Sequence, residues 1–109
     1  MSESKSSETM NAYMIIACKM HDREAFINGY GKAVPLLVEK YGGKYLVVAP
    51  GAVSLEGTLK GYSSVAISRW PSKQVALDFW YSEEYLEVKK LRENLADVEV
   101  LLVEAPEIL

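Results

Sequence analysis

Residues 12–20 read AYMIIACKM, nine positions carrying a single charge, Lys19. A near-continuous apolar run of that length suits a β-strand. Alternate strand positions point to opposite faces. Met14, Ile16 and Cys18 therefore face one way, and Tyr13, Ile15 and Ala17 face the other. Both sets are apolar. KYLVVA at 44–49 repeats the pattern, with Leu46 and Val48 opposing Tyr45, Val47 and Ala49. So does DVEVLLVE at 97–104, with Val98, Val100 and Leu102 opposing Leu101 and Val103. A sheet built from such strands needs cover on both sides, because large bare apolar patches are rare on soluble monomers.

The segments between these strands supply helix for one side only. Asp22 is placed to cap a helix, with Glu24 in its first turn. Phe26, Tyr30, Val34, Leu37 and Tyr41 then recur at spacings of three and four, one helical face. Pro35 predicts a kink near Gly31, and Gly42-Gly43 a stop. Residues 52–55 extend the sheet edge before Glu56-Gly57. YSSVAISRW at 62–70 is the third strand, broken by Pro71. Ser72 caps a helix with Val75, Ala76, Phe79 and Trp80 on its apolar stripe. Ser82, followed by Glu83 and Glu84, starts another helical segment, continued by Tyr85, Val88, Leu91 and Leu95.

The order is β-α-β-β-α-β, an α+β, ferredoxin-like arrangement. Right-handed crossovers put the helices on one face of a four-stranded antiparallel sheet. The other face is left apolar and bare. A second copy of the same face supplies the simplest cover, so a homodimer through the sheet face is expected.

Composition sets the outer bounds. The chain has 109 residues, 50% hydrophobic and 25% charged, which makes one globular domain. The Ser- and Glu-rich residues 1–11 read as a disordered tail, and residues 12–109 as the domain. The net charge is −3 and the basic residues are dispersed among acids, which argues against nucleic acid as a partner. No apolar run is long enough to span a membrane. With no apolar leader at the N-terminus, the expected compartment is the cytoplasm. Cys18 is the one cysteine, so no internal disulfide forms.

Several short elements in order resemble a known family: AYMIIACKM, Tyr30 and Pro35, Tyr41-Gly42-Gly43, Gly51 and Glu56-Gly57. They continue with Trp70-Pro71-Ser72, Trp80-Tyr81-Ser82 with Tyr85, Lys89 with Arg92, and a closing VLLVEA. This set is similar to the domain-of-unknown-function family 1330 within the dimeric α/β-barrel superfamily, over residues 12–105. The resemblance implies a ferredoxin-like protomer and a dimer whose two sheets close into a barrel. It implies no reaction. The wider superfamily includes cofactor-free monooxygenases, lactone isomerases, haem enzymes and effector-sensing domains, so fold carries little functional weight.

The residues themselves narrow the chemistry. Cys18 and His21 are the only soft or imidazole ligands and point in opposite directions, a poor start for a metal site. Neither metal nor other cofactor is expected. The superfamily's haem binders use a helical histidine, and this chain has none. His21 is the only group suited to carry a proton near pH 7, and a solvated loop histidine is the competing reading. Cys18 reads as a core residue and Ser82 as a cap. The aromatic set is the best lead. Tyr30, Trp80 and Tyr85 fall on or near sheet-facing stripes, where phenol and indole groups need polar partners. Arg92 lies close to the same stripe. It either clamps an anionic ligand or pairs with Asp78, Glu56 or an acid of a second copy. Tyr41 and Trp70, at a strand end, belong to the same aromatic set, with Tyr41 leaning to core. The expectation is a helix–sheet pocket in which Tyr30, Trp80, Tyr85 and Arg92 hold a small organic ligand, aromatic or anionic. Cofactor-free turnover is one extension. A non-catalytic dimeric module, structural or metabolite-sensing, is the alternative.

Overall fold

A computed structural model of the chain describes residues 10–106. The elements are β1 (Met10–Met20), α1 (Arg23–Asn28), α2 (Tyr30–Lys40), β2 (Lys44–Ala49), β3 (Ser64–Trp70), α3 (Lys73–Trp80), α4 (Glu83–Lys89), a 3-10 turn (Lys90–Arg92) and β4 (Ala96–Pro106). The strands form one antiparallel sheet in the order β2-β3-β1-β4, the ferredoxin-like α+β arrangement. Among the described residues, no helix is long and apolar enough to cross a membrane.

β1 begins at Met10, earlier than expected, because Met10 and Asn11 pair with Pro106 and Ala105 of β4. The rest of the expected tail, residues 1–9, lies outside the described residues. The caps follow the sequence: Asp22 accepts from the Ala25 N–H, Ser72 from Val75 and Ser82 from Tyr85. The expected kink near Gly31 is instead a break at Gly29, whose N–H closes α1 on the Ala25 carbonyl. The Gly29 carbonyl then accepts from Lys32 and Ala33 to start α2. Pro35 stays inside the restarted helix, where it has no N–H to donate to the Gly31 carbonyl. α2 ends in a Schellman motif: the Gly42 N–H reaches Glu39, the Gly43 N–H reaches Val38, and Gly42 adopts φ +94°.

Residues 52–55 form no strand; one backbone bond, Ala52 N–H to the Ser63 carbonyl at 2.9 Å, ties them to the base of β3. The stripe expected through Leu91 and Leu95 breaks up, because the chain tightens into the 3-10 turn and Asn94 takes φ +65°. Leu91 is left exposed.

β2 departs from simple alternation. Tyr45 pairs with Ser68 and Val47 with Ile67, so a bulge at Leu46 lies between them. Cross-strand partners share a face, and Ser68 is buried under the helices. Tyr45 therefore faces the helices, while Val47 stays on the bare side with Ile15 and Ile67.

The core lies between helices and sheet and centres on Trp70, Phe79 and Tyr85. Trp70 packs on Phe79 at 4.7 Å between ring centroids, and Phe79 on Tyr85 at 4.6 Å. The opposite sheet face is bare in the protomer: Leu101 is 68% exposed and Val103 45%. The protomer is a slab of 52 × 35 × 17 Å.

Candidate functional site

Four side chains from four elements meet under the helices. Tyr30 opens α2, with its ring 5.2 Å from that of Phe26 on α1. Tyr85 sits in the first turn of α4 and is 1% exposed. Ser82 fixes that turn, accepting from the Tyr85 N–H at 3.0 Å and donating to the Phe79 carbonyl at 2.8 Å. The Tyr30 and Tyr85 hydroxyls are 2.7 Å apart, a short hydrogen bond. Arg92 comes from the 3-10 turn and donates from Nη2 to the Tyr85 oxygen at 3.5 Å. Its guanidinium carbon lies 5.3 Å from the centroid of the Tyr30 ring. Arg92 Nε is buried without a hydrogen-bond partner. Trp80 packs on Tyr85 at 5.0 Å between centroids, and Lys89 Nζ lies 5.0 Å from the Trp80 ring.

These groups line a cavity of about 30 Å³, together with Tyr45, Cys18 and the apolar residues of β1 and β4. An outer cleft of about 330 Å³ adjoins it, between α1 and α2 on one side and β2 and β3 on the other. Ile16, Cys18, Phe26, Tyr30, Val34 and Tyr45 line both spaces. Tyr85, Trp80 and Arg92 line only the inner one, and Arg23 lines the cleft. The cleft alone reaches the lower range of small-molecule sites.

The cavity favours protonated groups. Burial pushes the Tyr30 phenol well above its ordinary range, and neighbouring Tyr85 pushes it further. Tyr45 is pushed up to about 12 by burial, with Tyr85 and Cys18 adding to it. Burial raises the Cys18 thiol against the opposing pull of Arg92. Burial alone would lower Arg92, but the Tyr85 and Tyr30 oxygens more than offset it. At neutral pH the Tyr30 and Tyr45 phenols and the Cys18 thiol keep their protons, and Arg92 keeps its charge.

The structure thus brings together Tyr30, Trp80, Tyr85 and Arg92. It leaves His21 apart. His21 follows β1, is half exposed, and places Nε2 3.2 Å from Asp97 Oδ2. It is not among the residues lining either space. Arg92 pairs with neither Asp78 nor Glu56. Asp78 accepts from Gln74 one turn away, and Glu56 lies in the exposed β2–β3 loop. Tyr41 and Trp70 behave as packing residues with satisfied polar ends: Tyr41 donates to Glu84 at 2.8 Å and Trp70 to Ser68 at 2.9 Å. Sequence reasoning missed Tyr45. Strict alternation assigns it to the bare face with Val47, and only the bulge turns it inward. Phe26 was legible as core but not as a wall of the cleft. Among the described residues, no three His, Cys, Asp or Glu side chains gather as a metal site.

A family model described as a domain of unknown function, DUF1330, matches residues 11–106. By sequence, no curated protein matches the chain. Among solved structures, a protein of unknown function from Rhodopseudomonas palustris is similar over 95% of this chain and 89% of its own, at 17% identity and a TM-score of 0.75. SnoaB, a cofactor-independent oxygenase from Streptomyces nogalater, is similar over 93% of this chain and 97% of its own, at 14% identity and TM-score 0.65. The de novo designed protein Foldit4 is similar over 85% and 96%, at 18% identity and TM-score 0.57. Identities this low establish a shared fold, and a designed sequence reaching the same fold shows how little the fold says about activity.

Proposed function

The chain belongs to the DUF1330 family, a domain of unknown function, and from the cavity within its fold we propose that it binds a small aromatic molecule bearing an oxygen function. The ring lies in the outer cleft, against Phe26 and Val34. The oxygen reaches the inner cavity, where Tyr30, Tyr85 and Arg92 meet it and Trp80 holds Tyr85 in place. The observation that carries this reading is Arg92. A guanidinium with a buried, unpartnered Nε and only phenols for neighbours is costly unless something further satisfies it. A ligand oxygen in the cavity does that.

The polar groups on the inner wall are phenols, a thiol, a serine hydroxyl, indoles and a guanidinium. They supply hydrogen-bond donors and a positive charge, with no carboxylate or imidazole among the lining residues to remove a proton. Capture without turnover, the role of a metabolite-sensing module, therefore has more support than a reaction. The bare sheet face supports a homodimer in which two slabs cover each other, leaving the cavity of each protomer on the far side of its own sheet.

Filling the cleft with 1-naphthol or 4-nitrophenol is expected to change tryptophan emission saturably, since Trp80 and Trp70 both line the inner cavity. Arg92→Met is expected to weaken that binding about tenfold, the scale of one hydrogen bond to a charged group. Emission unaltered by any aromatic probe overturns the reading.

A further inference from the structure

The inner cavity also constrains which oxygen function it holds, an inference that rests on the binding reading above. Its volume of about 30 Å³ is room for a small oxygen function but not for the aromatic ring, which stays in the outer cleft. Of the guanidinium fork, Nη2 reaches Tyr85 at 3.5 Å and the carbon lies over the Tyr30 ring, while Nε keeps a donor free for the ligand oxygen.

The direction of the hydrogen bonds follows from the arginine. A guanidinium only donates, so the Tyr85 oxygen is its acceptor. An oxygen accepting from a cation becomes a stronger donor in turn. The two hydroxyls lie 2.7 Å apart, where either can donate; with Tyr85 polarised by Arg92 as the donor, the Tyr30 proton is left for a third partner. Tyr30 is the member of this chain that lines both the inner cavity and the outer cleft. Tyr45, which also lines both, adds a second phenol. The titratable groups around the oxygen position are Tyr30, Tyr45, Tyr85, Cys18 and Arg92, with Arg23 on the cleft wall. Each donates or carries positive charge.

We propose that Arg92, Tyr85 and Tyr30 form a polarised hydrogen-bond chain ending on a single ligand oxygen, so that the site selects an aromatic phenol or enol in its ionised form. The ligand releases its proton to water; Tyr30 keeps its own. Tyr30 ends the chain on the ligand oxygen, which also faces the unpartnered Arg92 Nε, and Tyr85 acts through Tyr30 as a positioning residue.

The test titrates 4-nitrophenol on the protein, following the phenolate absorbance across pH, with 4-nitrobenzoate as the carboxylate of matching body. The phenolate is expected to bind about tenfold more tightly than the neutral phenol, a drop of about one unit in the bound probe's pKa. It is also expected to bind more tightly than the benzoate. Tyr30→Phe should abolish the shift. Tyr85→Phe keeps the Tyr30 hydroxyl but cuts its link to Arg92, and should reduce the shift. Equal binding of both ionisation states, tighter binding of the benzoate, or a shift that survives Tyr30→Phe overturns the chain while leaving aromatic binding intact. Binding of neither probe overturns the binding reading and the chain with it.

Discussion

Gly43 offers the sharpest test of the core that holds the site. A Cβ built there meets Trp70 Cη2 at 2.7 Å and Cζ2 and Cζ3 at 2.8 Å each. Carbon atoms in contact prefer about 3.5–4.0 Å, so the methyl of alanine would overlap three ring atoms by close to 1 Å. Trp70 has nowhere to go. It is 1% exposed, its indole N–H is held by Ser68 at 2.9 Å, and its ring packs on Phe79. Overpacking of this kind costs about 1–3 kcal/mol. Replacing glycine in the unfolded chain returns about 0.4–1 kcal/mol. Gly43→Ala is therefore expected to destabilise by about 1–2 kcal/mol, which for a domain of this size lowers the melting temperature by about 4 °C or more. Urea and thermal unfolding read the change directly. Near-UV circular dichroism should change as well, because displacing Trp70 moves Phe79 and then Tyr85. An alanine variant within 0.5 kcal/mol of the parent, with an unaltered aromatic spectrum, would refute the packing described for Trp70.

Three further outcomes are expected. Leu101→Glu places a carboxylate on the bare sheet face, on edge strand β4, and should weaken self-association at least about tenfold without unfolding the protomer; sedimentation of the unaltered chain as a 12.2 kDa particle at micromolar concentration would remove the dimer. Ser72→Ala deletes the cap of α3 and should cost about 1 kcal/mol, read from the denaturant midpoint; no change there means the helix does not depend on that cap. Tyr30 and Tyr45 hold their protons more tightly folded than unfolded, so the stability they contribute is fully present below pH 10, the ordinary phenol value, and is lost as pH rises above it, through about 12 for Tyr45. Absorbance at 295 nm should therefore show fewer than seven phenolates until the chain unfolds, and seven ionising freely near pH 10 would contradict the buried cluster.

Much of the fold is legible in the sequence because it rests on local signals. Asp22, Ser72 and Ser82 precede helices they cap, Gly42-Gly43 ends one, and the four apolar runs become the four strands. The break at Gly29 was not legible, since Gly29 and Gly31 are both weak points and long-range packing decides between them. The meeting of Tyr30, Trp80, Tyr85 and Arg92 followed from helical spacing plus the rule that buried phenols need partners. What Arg92 touches did not follow, because its position depends on a 3-10 turn that no periodicity announces. His21 stays outside the cavity because it follows the end of β1, where Asp97 of the neighbouring strand meets it.

The bulge at Leu46 has a consequence for reading relatives of this chain. Whether the third phenol belongs to the cavity is decided by strand length and not by side-chain identity. A chain one residue shorter here, yet keeping its tyrosine, would turn that ring to the other side of the sheet and lose a donor that a column of identical letters still reports. Comparisons within the family need to count residues between Gly43 and the β2–β3 loop before they compare them.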